Sequence, residues 1–257
     1  MNLCFSTLGC CDRDLEQILS LAKDHNISAL EIRGIDGVLD NTRIDAFLPK
    51  NSDNTAELFK IYGISPIVLG TSCAFHSPEK YEKAILEGKD SIKIAESLGI
   101  PNIRVFGDKL TEGSTHRIIS GLSELCSTSD KVNILLEVHG SYNTVEALST
   151  IISAMTGIDN FGLIWDIEHT HKPYGDMWEE FYLAMRPYIK HIHIKDRSEA
   201  LCLIGEGNIP IKQITERLLD DGYEGYFSLE WEKKWHPELP EIEKALDSFI
   251  RVMNGER

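Results

Sequence analysis

The chain has 257 residues, 42% hydrophobic and 26% charged, which supports a sizeable core in one large domain or two small ones without disulfide staples. Lys and Arg number 26 against 41 Asp and Glu, a formal net charge of −15; that field repels phosphate backbones and argues against a nucleic-acid partner. No apolar run approaches the ~20 residues of a membrane span, and with no secretory h-region or C-x-x-C spacing the six cysteines read as free thiols of a reducing, cytoplasmic protein.

Short apolar runs alternate along the chain with longer amphipathic ones. NLCFST (2–7) is followed by a helical pattern near 12–25, SALEIR (28–33) by one near 53–62, and SPIVLG (65–70) by one near 78–98. NIRVFG (102–107) precedes 111–128, VNILLEVH (132–139) precedes 143–155, and FGLIWD (161–166) precedes 176–186. KHIHIKD (190–196) leads to 210–221, and YFSLEW (226–231) to 240–253. Ser77-Pro78-Glu79 gives the third helix a cap and a first-turn proline, and Gly99 closes it. Eight such units, spaced roughly 30 residues apart without a linker, predict a single (β/α)8 TIM barrel over residues 1–257. A doubly wound sheet lacks support because no G-x-G-x-x-G follows the first strand.

In such a barrel the active site lies at the C-terminal ends of the strands. Strand five ends Glu137-Val138-His139, strand six Trp165-Asp166, strand seven His191-Ile192-His193-Ile194-Lys195-Asp196, and strand eight Glu230-Trp231-Glu232. Side chains alternate along a strand, so Glu137 and His139 share one face, as do His191, His193 and Lys195, and as do Glu230 and Glu232. Carboxylates converging in a barrel mouth stay ionised together only beside a cation. A mixed oxygen and nitrogen set suits one divalent ion, Mn2+, Mg2+, Co2+ or Zn2+, without choosing among them; Mn2+ is the expected ion.

At these residues the sequence resembles the xylose isomerase-like TIM-barrel superfamily, which holds sugar isomerases and epimerases, inosose dehydratases and the apurinic endonuclease IV group. FSTLGC, ALEIRG, LGTSCAFH, IRVFG, GEGNIP and SLEWEKKWHPEL carry the resemblance to its sugar phosphate isomerase/epimerase branch over essentially the whole chain. The resemblance implies Glu137, Asp166, His193 and Glu230 as metal ligands, with Asp166 and His169 forming a D-x-x-H pattern and His193 opening HIKD. It also implies Glu137 and Glu230 as the catalytic pair that exchanges the proton next to a carbonyl. Two positions depart from the ketose epimerases of the group: their substrate-contacting glutamate falls on Asn143 and their arginine on Glu199, with Arg197 nearby as the substitute substrate contact. The endonuclease branch needs further histidines after strands two and three, where this chain offers Arg33 and Ser72-Cys73.

The remaining polar residues divide between substrate contacts and ordinary roles. His191 reads as a satisfied core histidine, and His169 as a substrate contact. His139 either touches substrate or orients a ligand. Lys195 either polarises a carbonyl or joins a rim salt bridge. Arg33 and Arg104 share inward parity and either bind an anionic or polyol substrate or pair with Glu31. Trp231 and Trp235 serve equally as packing or as a sugar platform. Gly205-Glu206-Gly207 reads as a plain turn, and Glu168 and His171 as surface.

The expectation is a metal-dependent isomerase or epimerase of a sugar or keto sugar, working through an enediolate. A lyase or dehydratase on a keto sugar or cyclitol is the alternative, ahead of a non-catalytic sugar-binding barrel or an endonuclease. The predicted partner is a small sugar or cyclitol, with neither nucleic acid nor membrane; homo-oligomerisation stays open.

Overall fold

The computed structural model describes residues 1–255; the last two residues of the predicted barrel domain lie outside them. Eight parallel strands close into a barrel: β1 (Asn2–Ser6), β2 (Ala29–Ile32), β3 (Ser65–Ala74), β4 (Asn102–Phe106), β5 (Asn133–Glu137), β6 (Phe161–Asp166), β7 (Ile189–Ile194) and, eighth around the ring, β10 (Tyr226–Leu229). β10 pairs with β1 and β7 and completes the ring. The predicted strands thus all form, with ends that shift by a few residues.

The helices are α1 (Leu15–Asp24), α2 (Ser52–Tyr62), α3 (Pro78–Leu98), α4 (Ser114–Cys126), α5 (Val145–Met155), α6 (Ile167–Tyr174), α7 (Trp178–Met185), α8 (Ile211–Asp220) and α9 (Ile242–Met253). Local chemistry sets several of their ends. Asp14 and Gln17 form a capping box on α1, Thr144 accepts from the Ala147 amide at the start of α5, and Gly99 ends α3 in the left-handed region at φ 69°. No helix among the described residues is long and apolar enough to cross a membrane.

Two elements differ from the sequence expectation. The sequence pattern places the next helix near 176–186, yet the chain turns at once into α6, because Asp166 closes β6 and also caps the helix by accepting from the Glu168 and His169 amides. Pro173 and Gly175 then stop α6, and a single 3-10 turn leads into α7. Beyond β7, β8 (Asp196–Arg197) and β9 (Leu201–Cys202) form a small antiparallel ribbon outside the barrel.

Two apolar layers hold the structure. The larger lies between the strands and the helices, with Phe5, Leu30, Trp165, Phe181, Phe227 and Phe249 fully buried in it. The smaller fills the base of the barrel with Cys4, Ala29, Val68, Leu135 and Ile164. Its members alternate along their strands with the outward set, as the pleat requires. Above this floor the interior becomes polar, and the candidate site begins there.

Candidate active site

Four inward side chains make the lowest polar tier. The Glu31 carboxylate on β2 receives His191 Nε2 at 3.1 Å, His193 Nε2 at 2.9 Å and the Ser228 hydroxyl at 3.1 Å. Burial drives the Glu31 pKa up, but the imidazoles of His193 and His191 outweigh it and hold the group well below the usual carboxylate range. His191 is the hydrogen-bonded core histidine the sequence suggested. Glu31, read from sequence only as a pairing partner, is the hub of this tier. It was missed because a single acid inside the apolar run ALEIR matches no motif.

One step higher, β5, β6, β7 and the residue after β10 bring Glu137, Asp166, His193 and Glu230 together. One ligand atom from each lies within 4.8 Å of the others, and all four residues are buried. Strand register accounts for this: Asp166 stands opposite His193, and Ser228, two residues before Glu230, also stands opposite His193. With Nε2 engaged by Glu31, His193 turns Nδ1 toward Glu230 Oε2 at 3.2 Å and Glu137 Oε2 at 4.0 Å.

Two buried cations border the cluster. Arg104 Nη1 lies 3.0 Å from Glu230 Oε1, 3.1 Å from Glu137 Oε2 and 3.9 Å from Glu31 Oε1. Lys195 Nζ lies 2.8 Å from Asp166 Oδ2, 2.6 Å from Glu230 Oε2 and 2.5 Å from Glu232 Oε1. Even so, Glu137 Oε2, Asp166 Oδ2, His193 Nδ1 and Glu230 Oε2 are buried without a properly aligned hydrogen bond. Four ligand atoms, one per residue, that lack an aligned hydrogen bond fit a divalent ion that prefers oxygen with one imidazole. A deeper group, Glu31 with His191 and His193, also falls within 4.8 Å, but Glu31 Oε2 already accepts from both rings and from Ser228, and only Oε1 is left without a hydrogen bond.

Burial raises the Glu137 pKa to about 7 despite Arg104. Glu230 and Asp166 feel the same desolvation but are held low, chiefly by His193 and Lys195 at the first and by Lys195 at the second. Lys195 shows the reverse: burial pulls it down, but Asp166 and Glu230 lift it well above its ordinary value. It therefore carries a proton at neutral pH.

One wall of the mouth is aromatic. The His139 and His169 rings stand 4.1 Å apart at 49°, Phe106 meets His139 edge-on at 5.3 Å, and the Arg104 guanidinium lies 4.5 Å from the Phe106 ring centre. Burial lowers both histidines, His169 to about 4, so each is neutral at pH 7. Asn143 donates to the His169 carbonyl at 3.0 Å and so supports this wall.

Other predicted contacts fall elsewhere. Arg197 donates to Glu168, and Glu168 also pairs with Lys172 at 3.1 Å; Glu168 is buried, not a surface residue, because α6 turns it inward. Glu199 is exposed on the β8–β9 ribbon's turn. The indole of Trp231 donates to the Pro240 carbonyl at 2.9 Å and packs, whereas Trp235 is exposed. In the Gly205-Glu206-Gly207 turn the two glycine amides are used by Asp196 Oδ2 at 2.8 and 3.0 Å.

The sequence model described as "Xylose isomerase-like TIM barrel" matches residues 19–252. A comparison with curated proteins gives no match. Among solved structures, the IOLI protein with a bound zinc atom superposes with a TM-score of 0.79 at 23% identity, covering 98% of this chain and 96% of that one. The probable 3-DHS dehydratase AsbF of Bacillus anthracis gives 0.78 at 15% identity, with 97% and 99% covered. D-psicose 3-epimerase of Clostridium cellulolyticum H10, solved with D-tagatose, gives 0.72 at 17%, with 90% and 84% covered. At these identities the likeness is one of fold.

Proposed function

The chain belongs to the xylose isomerase-like TIM-barrel family, and from that premise we propose that it is a divalent-metal-dependent isomerase or epimerase of a sugar or keto sugar. The observation that carries the reading is the set of four unsatisfied, buried ligand atoms of Glu137, Asp166, His193 and Glu230. These residues would hold the ion. When bound it would supply a Lewis acid for a carbonyl and an adjacent hydroxyl, worth several kcal/mol at a developing oxyanion.

The protein's own groups divide the rest of the work. Glu137 and Glu230 stand on strands three places apart around the ring, so they address a bound sugar from different sides. One removes the proton from the carbon next to the carbonyl, and the other returns a proton to the enediolate left behind. Lys195 holds a positive charge beside Asp166 and Glu230, where it orients both carboxylates. The neutral rings of His139 and His169 offer a flat wall and hydrogen-bonding nitrogens to the polyol.

A second reading, a dehydratase on a keto sugar or cyclitol, draws on Lys195 as well: a buried ammonium inside the cluster can donate a hydrogen bond to a departing hydroxyl. Of the similar structures, the Bacillus anthracis protein is a probable dehydratase. Both readings share the first proton transfer. A keto-sugar and cyclitol panel incubated with the Mn2+-loaded protein in D2O and followed by NMR tests it. Deuterium entering at one carbon supports the reading, loss of a hydroxyl selects the dehydratase, and no deuterium in any well-bound ligand overturns both.

A further inference from the structure

We infer that the substrate carries an oxyanion, a carboxylate or a phosphate ester, and that Arg33 receives it at the mouth of the barrel; the inference rests on the reading of this mouth as the substrate site. Arg33 follows β2, two residues beyond the inward Glu31. Its stem lies over Gly70, a residue paired in register with the inward Arg104, and a Cβ on Gly70 would come within 2.7 Å of Arg33 Cδ. The absence of a side chain there is what lets the arginine enter the barrel mouth. Asn41 fixes the same backbone by donating to the Gly70 carbonyl at 2.9 Å.

The other inward cations are matched by carboxylates. Arg104 and Lys195 each have three within 4 Å, and Arg197 has Glu168. Arg33 is 7% exposed and, among the described residues, has no carboxylate within that range. Its guanidinium donates only to neutral acceptors, the Leu39 carbonyl at 3.0 Å and the Ser72 hydroxyl at 2.9 Å. The nearby Glu87 is engaged by the Ser72 amide at 2.6 Å.

Two buried arginines therefore influence each other, and only Arg104 has carboxylates within 4 Å, while Glu87, Glu230 and Glu137 act on Arg33 from farther away. Burial first, and the Arg104 charge next, depress the Arg33 pKa to about 10. A planar donor fork with free N–H groups takes a carboxylate or phosphate in two parallel bonds. A neutral polyol would satisfy the donors and leave the charge unmatched. The chemistry fits a sugar acid or a sugar phosphate whose charged end points toward β2 and β3 while its carbonyl reaches the ligand cluster.

Calorimetric titration of the Mn2+-loaded protein with D-fructose, D-fructuronate and D-fructose 6-phosphate tests this without turnover. Wild-type protein is expected to bind at least one charged probe tenfold or more tighter than D-fructose, and the preferred probe tells carboxylate from phosphate. Arg33→Gln is expected to erase that preference while changing D-fructose binding less than threefold, with Arg33→Lys intermediate. Equal binding of all three probes by wild type, no binding of either charged probe, or an equal loss for all three in Arg33→Gln overturns the inference. If Arg33→Gln does not fold, the wild-type ranking decides alone. Preferred binding of a charged probe without deuterium exchange would sink the isomerase reading and leave this inference standing, and the converse separates them the other way.

Discussion

Replacing Glu31 by glutamine tests the lower tier of the site with little change in volume. In the native structure Glu31 Oε2 faces Nε2 of both His191 and His193; once a metal takes Nδ1 and His193 is neutral, this contact holds its proton on Nε2 and keeps Nδ1 turned toward Glu137 and Glu230. The glutamine amide can present N–H to Nε2 instead, which moves the proton to Nδ1 and aims it at the metal position. Loss of such an outer partner typically costs ~10–100-fold in metal affinity, about 1.4–2.7 kcal/mol. Stability suffers independently, since two charge-assisted bonds, each about 1.5–3 kcal/mol, become at best one neutral bond; we expect ~2–3 kcal/mol less in urea unfolding of the metal-free protein. Competition with a chelator of known affinity measures the first quantity. A Glu31→Gln protein that folds and binds Mn2+ within threefold of wild type would refute the argument that Glu31 sets the His193 tautomer.

Trp165 is fully buried and stacks on Tyr182 at 5.6 Å and 14°, so Trp165→Ala should cost about 3–5 kcal/mol and lower the melting temperature by roughly 10 °C; a calorimetric shift below about 3 °C would contradict this packing role. The cysteines make a different prediction. Burial pushes the thiol of Cys10 up to about 12 and that of Cys126 to about 11, whereas Cys202 is only half-buried. Under native conditions at pH 8, iodoacetamide should label Cys202 first by mass spectrometry and leave Cys4, Cys10, Cys73 and Cys126 unmodified until the protein unfolds. Early labelling of Cys10 would count against its buried position in the 3-10 turn (Thr7–Cys10) that follows β1.

The barrel was legible because its signals are periodic and repeated: apolar strands, amphipathic helices and caps at regular spacing. The candidate cluster was legible for a related reason, since strand parity places Glu137, His193 and Glu230 on inward faces and Asp166 at the end of an apolar strand. The resemblance supplied which histidine of His191 and His193 belongs to it. What escaped depends on long-range pairing. Glu31 acquires its role only when β7 and β10 bring His191, His193 and Ser228 to it across the barrel interior. Glu168 read as surface because α6 is a helix of eight residues stopped by proline and glycine, and its partner Arg197 is remote in sequence. The β8–β9 ribbon has strands of two residues, too short for an alternation to show. Arg33 had inward parity from the start, but its lack of a carboxylate partner is a property of the folded mouth alone.

The central claim is that Glu137, Asp166, His193 and Glu230 together hold one divalent ion. Metal content after Mn2+ loading and desalting tests it, comparing wild type with Asp166→Asn, which keeps a cap for α6 while replacing one carboxylate ligand. Wild type is expected to hold about one equivalent and Asp166→Asn less than a tenth of that, with both proteins folded. Wild-type protein that retains no ion, or an Asp166→Asn protein that retains a full equivalent, would contradict it.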